Sequence, residues 1–174
     1  MGPLQQGHLD GLCGVYAVIN AVNIVQGPLR KPANRALFET CLQYLASRRC
    51  LIQRMTGYGT DGSELNQLLK IVQQHYPLHC STPFRQRRTL KFEQYWQECH
   101  EFLRVPQSII LVNLKGYHQH WTLIERMTET TLYLHDSSGL KYLSKRNCQL
   151  TGKRPLRPHL LNPQHTYFLR GITL

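Results

Sequence analysis

Cys13 is the residue best placed for chemistry in this chain. It follows Asp10-Gly11-Leu12 and opens the run Cys13 to Val25, CGVYAVINAVNIV. That run is apolar on nearly every face, so it reads as a central, buried helix with Cys13 at its N-terminus. A helix N-terminus carries partial positive charge from unpaired N–H groups, which favours thiolate over thiol. Gly14 comes next and would leave space for a substrate near the backbone. The plainer alternative for Cys13 is a small apolar residue starting a core helix.

A thiolate nucleophile needs a base that holds its proton and returns it to the leaving group. Of nine histidines, His120 is best placed, because it opens the apolar stretch His120-Trp121-Thr122-Leu123-Ile124. A strand start fixes a side chain's direction, and Trp121 points to the other face. His118 shares the parity of His120 and is its rival, nearer the loop. The base in turn needs a group that sets its tautomer and orientation. Asp136 closes the next apolar stretch, in LYLHDSSG. A hairpin of Trp121–Met127 and Thr131–Leu134 would bring His120 and Asp136 to the same open end, with Cβ atoms about 5 Å apart. Asp136 also suits the first position of a turn, and the two roles are compatible. Acyl transfer further needs hydrogen-bond donors for an oxyanion. The Cys13 backbone N–H is one. A side-chain amide of Gln5 or Gln6 is the second, with Gln6 preferred.

The elements that must hold these groups read as helices first and strands later. Gly27-Pro28 stops the first helix. Asn34 is read as the cap of a second, through about Ser47. A loop from Thr56 to Gly62 follows. Asp61 and Glu64 then have capping-box spacing for a third helix, to about His75. Phe92 to Leu103 is a fourth helix. Ser108–Leu114, Trp121–Met127, Thr131–Leu134 and Thr166–Ile172 are strands, and Thr151 to Pro163 is a long loop. The expected class is α+β, a helical part packed on an antiparallel sheet, in one domain over residues 1–174. Leu12, Tyr58, Gly59, Tyr117 and Trp121 are groove-wall candidates.

Composition narrows the partners. The formal net charge is +11, from 21 Lys+Arg against 10 Asp+Glu. The cations gather at Arg85-Gln86-Arg87-Arg88 with Lys91, and between Lys141 and Arg157. A solvated basic surface accounts for this, as does attraction to an acidic partner or inhibitor protein; nucleic-acid binding rests on charge alone. The six cysteines contain no CxxC pair and no secretory signal is readable, so reduced thiols are expected. His75, His79 and Cys80 come nearest to a metal cluster, too sparsely for a zinc site. No cofactor or metal is expected, and no run approaches the roughly 20 apolar residues that span a bilayer. The expected location is the cytoplasm, or outside it by a specialised secretion route.

Gln6, Cys13-Gly14, His120-Trp121 and Asp136, in that order, resemble the papain-like cysteine peptidase superfamily. Gly59-Thr60 leading into the helix at Glu64 is similar to the bacterial leader-peptidase-like branch, found on bacteriocin exporters and as stand-alone domains. The resemblance covers about Gln5 to Gly139, and the last 35 or so residues have no counterpart in it. Gln6 stands one residue further from the cysteine than is usual there, which an insertion at Gly7-His8-Leu9 would absorb. The resemblance implies a papain-like fold and a hydrolase acting on an amide bond in a peptide or protein. Cys13 would be the nucleophile, His120 the base, Asp136 its orienting acid and Gln6 an oxyanion donor. The same constellation serves a toxin or effector acting as protein deamidase or isopeptidase. A non-catalytic basic binding module, using Arg85, Arg87, Arg88, Lys153 and Arg154, is the reading from a different class.

Overall fold

The computed structural model describes residues 2–7, 10–47, 59–152 and 154–172. Within them the chain is a mixed α+β fold of four helices and a seven-stranded sheet. The order is α1 (Cys13–Val25), α2 (Lys31–Ala46), α3 (Gly62–His75), β1 (Leu78–Ser81), α4 (Phe92–Phe102), β2 (Ser108–Gly116), β3 (His120–Met127), β4 (Thr131–His135), β5 (Tyr142–Ser144), β6 (Cys148–Leu150) and β7 (His159–Gly171). The strands run β1-β7-β2-β3-β4-β5, antiparallel throughout, with β6 added parallel to β7.

Both sheet faces are covered, which explains why β2 is apolar without alternation. Ile109 and Leu111 face a core built from α1, α2 and α3. Ile110, Val112 and Leu114 face a second core with Tyr95, Trp96 and Cys99 of α4. Helix α1 lies against the first face, with Val15, Val18, Ile19 and Val22 fully buried. Burying such a side chain contributes roughly 1.5–3 kcal/mol, so this face of α1 anchors its N-terminus firmly against the sheet.

Several boundaries differ from the sequence reading. Helix α2 starts at Lys31-Pro32, where proline suits a first turn. Asn34 lies inside that helix instead of capping it. Its side chain is buried, accepts from Asn23 at 2.7 Å and donates to the Leu29 carbonyl at 3.1 Å, tying the connection from α1 to α2. Asp61 does cap α3, with Glu64 closing the box. Residues 159–163, expected in a loop, begin strand β7, where His159, Leu160 and Leu161 pair with Gly116, Lys115 and Leu114 and with β6. Strands β1, β5 and β6 are three or four residues long, too short to show a period. Cys50, Lys153, the 8–9 pair and the 56–58 part of the glycine-rich loop lie outside the described residues. Among the described residues no helix is long and apolar enough to cross a membrane.

Candidate active site

The start of α1, the start of β3 and the residue after β4 converge at one end of the sheet. Helix α1 begins at Cys13 with Leu12 as its N-cap, no side chain bonded to its first turn and no acidic residue within it. No acidic group inside the helix neutralises its positive end; the Asp10 carboxylate lies just before it, on the Leu12 N–H at 3.2 Å. Cys13 is nearly buried, at 8% exposure.

His120 Nε2 donates to Asp136 Oδ2 at 2.6 Å. The imidazole is 12% exposed and the carboxylate fully covered. With Nε2 committed, Nδ1 is the ring nitrogen left for the thiol. Burial opposes the charge on His120, yet hydrogen bonding with Asp136 and Cys13, with the charges of both, raises its pKa to about 9. Burial likewise opposes ionisation of Asp136, but the hydrogen bond and charge of His120 outweigh it and hold the carboxyl below its usual range. At neutral pH the pair is imidazolium and carboxylate.

The hairpin places this pair by a route the simple count misses. Leu123 faces His135 and Ile124 faces Leu134, and a bulge at Glu125 shifts the register before Arg126 meets Tyr133. Extending the register sets Asp136 across from Thr122, so His120 is reached on the diagonal, not directly opposite. Asp136 uses its oxygens separately. Oδ1 accepts from the backbone N–H of Ser138 at 2.8 Å and of Leu140 at 3.0 Å, forming the turn. Oδ2 is left for the histidine. The contact with His120 and the turn contacts of Asp136 therefore coexist. His118 does not bond the carboxylate; it stacks on His159 instead.

The two glutamines separate clearly. Gln5 spends its amide nitrogen on the carbonyls of Pro3 and Asp136. Gln6 is tied to the turn beyond Asp136: its backbone N–H donates to Ser137 O at 3.1 Å, and its Oε1 accepts from Ser137 Oγ at 3.2 Å. Holding Oε1 leaves Nε2 as the amide's donor, and no hydrogen bond within the described residues uses it. Asp10 closes the extra-long connection to Cys13, accepting from Gly7 N at 2.7 Å and Leu12 N at 3.2 Å. The roles of Ser137 and Asp10 were missed in the sequence. Asp-Ser-Ser-Gly signals a turn, and nothing local says that its serine holds a residue 131 positions away.

Gly14 serves packing instead of substrate access. A Cβ there would lie 2.7 Å from the Thr60 Cβ, so the space above it is already filled. Thr60 is fixed from behind, its carbonyl accepting from Trp121 Nε1 at 2.7 Å. Trp121 and Leu12 are core residues, Gly59 packs on the Gly11 carbonyl, Tyr58 lies outside the described residues, and Tyr117 alone projects, 81% exposed.

The other four described cysteines are held as thiols. Burial pushes the thiols of Cys41 and Cys148 up to about 12 and that of Cys80 to about 11, and raises Cys99 further. None of these four sits at a helix start beside an imidazolium. Comparisons with protein-family models, curated proteins and solved structures found no match for this chain.

Proposed function

We propose that the protein is a cysteine hydrolase of the papain-like class, cleaving an amide bond in a peptide or protein. The observation that carries this is the short, buried bond from His120 to Asp136 beside Cys13. The linear order Gln6, Cys13-Gly14, His120 and Asp136 supports it, and within that class the order resembles the bacterial leader-peptidase-like branch.

In this mechanism Cys13 Sγ attacks the carbonyl carbon and the carbonyl electrons move onto oxygen. The Cys13 N–H and Gln6 Nε2 stabilise that oxyanion. The C–N bond breaks as His120 gives its proton to the leaving nitrogen, and a thioester remains. His120 then takes a proton from water, hydroxide adds to the thioester carbon, and the C–S bond breaks to release the acid and regenerate the thiolate.

Labelling with iodoacetamide across pH tests the reading. Cys13 should react ahead of the other cysteines at pH 6–7, and His120→Ala should slow it. If Cys13 alkylates no faster than the buried thiols, the hydrolase reading fails. A protein deamidase or isopeptidase would share this result and differ in its product. The basic binding module would instead bind with steep salt dependence and be indifferent to Cys13→Ala. Its proposed cations are partly engaged already: Arg85 donates to Asn66 and Gln164, and Arg87 pairs with Glu98.

A further inference from the structure

We propose that Tyr117, His118 and His159 form an aromatic shelf on the leaving-group side of this site, selecting peptides with an aromatic side chain just after the scissile bond. The proposal rests on the amide-hydrolysis reading and adds a substrate class to it.

The three rings come from two distant segments and are held together. Tyr117 meets His118 edge-on with centroids 5.0 Å apart, and His118 stacks on His159 at 5.3 Å, the planes only 13° apart. The backbone fixes the join, since Gly116 pairs with His159 and Tyr117 N donates to Pro158 O at 2.9 Å. Tyr117 is nonetheless 81% exposed. His159 Nδ1 is buried without a hydrogen-bond partner, an unmet polar atom at the foot of the stack.

Direction follows from the chemistry. His120 delivers its proton to the leaving nitrogen, so the residue carrying that nitrogen must lie over His120. His118 stands two residues before His120 and feels the charges of both His120 and Asp136. Residues 117 and 118 lead directly into β3 at His120, and Gly116 pairs with His159, so the stack adjoins the strand start that carries the imidazole, whereas the flank at Gly14 is filled by Thr60. Burial, then the charge of His120, keeps His118 below the usual histidine range; burial, then His118, does the same for His159. At neutral pH the shelf offers uncharged ring faces and edges, which suit another ring better than a carboxylate. Ammonia, the leaving group of a deamidase, would have nothing to place there.

The test is cleavage of a synthetic peptide library, read by mass spectrometry, with the full chain and its Tyr117→Ala and His118→Ala variants. Iodoacetamide labelling of Cys13 is followed in the same preparations. Peptides with Phe, Tyr or Trp after the cut should be cleaved roughly two- to tenfold faster than those with Ala. Each substitution should flatten that preference, and Tyr117 is exposed enough to be removed without loss of fold. Cleavage without the preference, a preference surviving both substitutions, or release of ammonia alone would overturn the shelf. So would failure to cut any peptide by a protein whose Cys13 labels. Failure of Cys13 to label would instead bring down the hydrolase reading, and is seen without any peptide.

Discussion

His120–Asp136 and Lys145–Glu93 are both cation–carboxylate pairs joining separate elements, and the molecule treats them differently. In the first, the carboxylate is wholly covered and the imidazole 12% exposed. In the second, Glu93 is 75% exposed and Lys145 24%. Water screens the second pair, so its loss changes little else. The first has no such screen, and the interaction appears as opposite pKa shifts in its two members. The surroundings differ in kind too. Around Lys145 the cations brace the fold itself, with Arg157 donating to the carbonyls of Lys145 and Cys148 and lying over Phe92. Around His120 the groups point at a thiol. Charge density in the sequence highlights the Lys145 region; burial distinguishes the His120 pair.

The comparison breaks most sharply at the thiol. Cys13→Ala should lower turnover by about 10⁴-fold or more, as removal of a nucleophile from a cooperating set does. Fold should persist, since Ala fills nearly the same volume; a melting curve and a single-turnover assay on one preparation separate the two effects.

Asp136→Asn comes next, with an expected loss on the order of 10⁴ in kcat from a misoriented or wrong-tautomer histidine. Asp136 raises the His120 pKa, so the alkaline limb of the pH–rate profile, near 9 in the native protein, should move to lower pH. Stability carries the same signature. The part due to His120 is complete below its unfolded value of about 6.5 and lost as pH rises through about 9. The part due to Asp136 is present above about 3.9 and lost as pH falls through its lower folded value. Chemical denaturation at pH 7 and 10, native against Asp136→Asn, reads the alkaline side; an unchanged difference between the two would contradict the coupling.

The oxyanion donors give a smaller effect. Gln6→Ala should cost about 10²–10³ in kcat with little change in KM. Gln5→Ala, whose amide is already occupied, should do much less. Ser137→Ala should fall between them, by freeing the Gln6 amide to rotate, and Ser137→Thr should restore part of the loss.

These expectations differ in how far the sequence alone supports them. Helix α1, the α3 capping box and the β3–β4 hairpin announce themselves because each is specified by neighbours: an apolar run, two residues three apart, two strands about a short turn. Cys13, His120 and Asp136 are legible for the same reason, each standing at the boundary of such an element. The use of Gly14 is not legible, since glycine beside a candidate nucleophile says only that space is needed. Thr60, which takes that space, lies 46 positions on. The bulge at Glu125 was equally invisible, because an alternating pattern does not reveal where one residue is extra. Only the second half of β7 reads as a strand because proline and polar residues in HLLNPQ mimic a loop, and the partners that extend it, on β2 and β6, lie outside that segment.

The mildest prediction sits at the other pair. Lys145→Ala should change stability by no more than about 1 kcal/mol, the range of exposed ion pairs. Lys145 also lies over the Trp96 ring at 5.1 Å, a contact that salt screens less than the exchange with exposed Glu93. Raising salt should therefore remove the Glu93 contribution and leave the Trp96 one. Urea titrations of native protein, Glu93→Ala and Lys145→Ala at low and high salt resolve the two: at high salt Glu93→Ala should converge on the native curve and Lys145→Ala only partly. Activity toward any peptide should be unaltered, since nothing at Lys145 touches His120 or its neighbours. A loss of turnover comparable to that of Gln6→Ala would mean that the basic region takes part in the site after all.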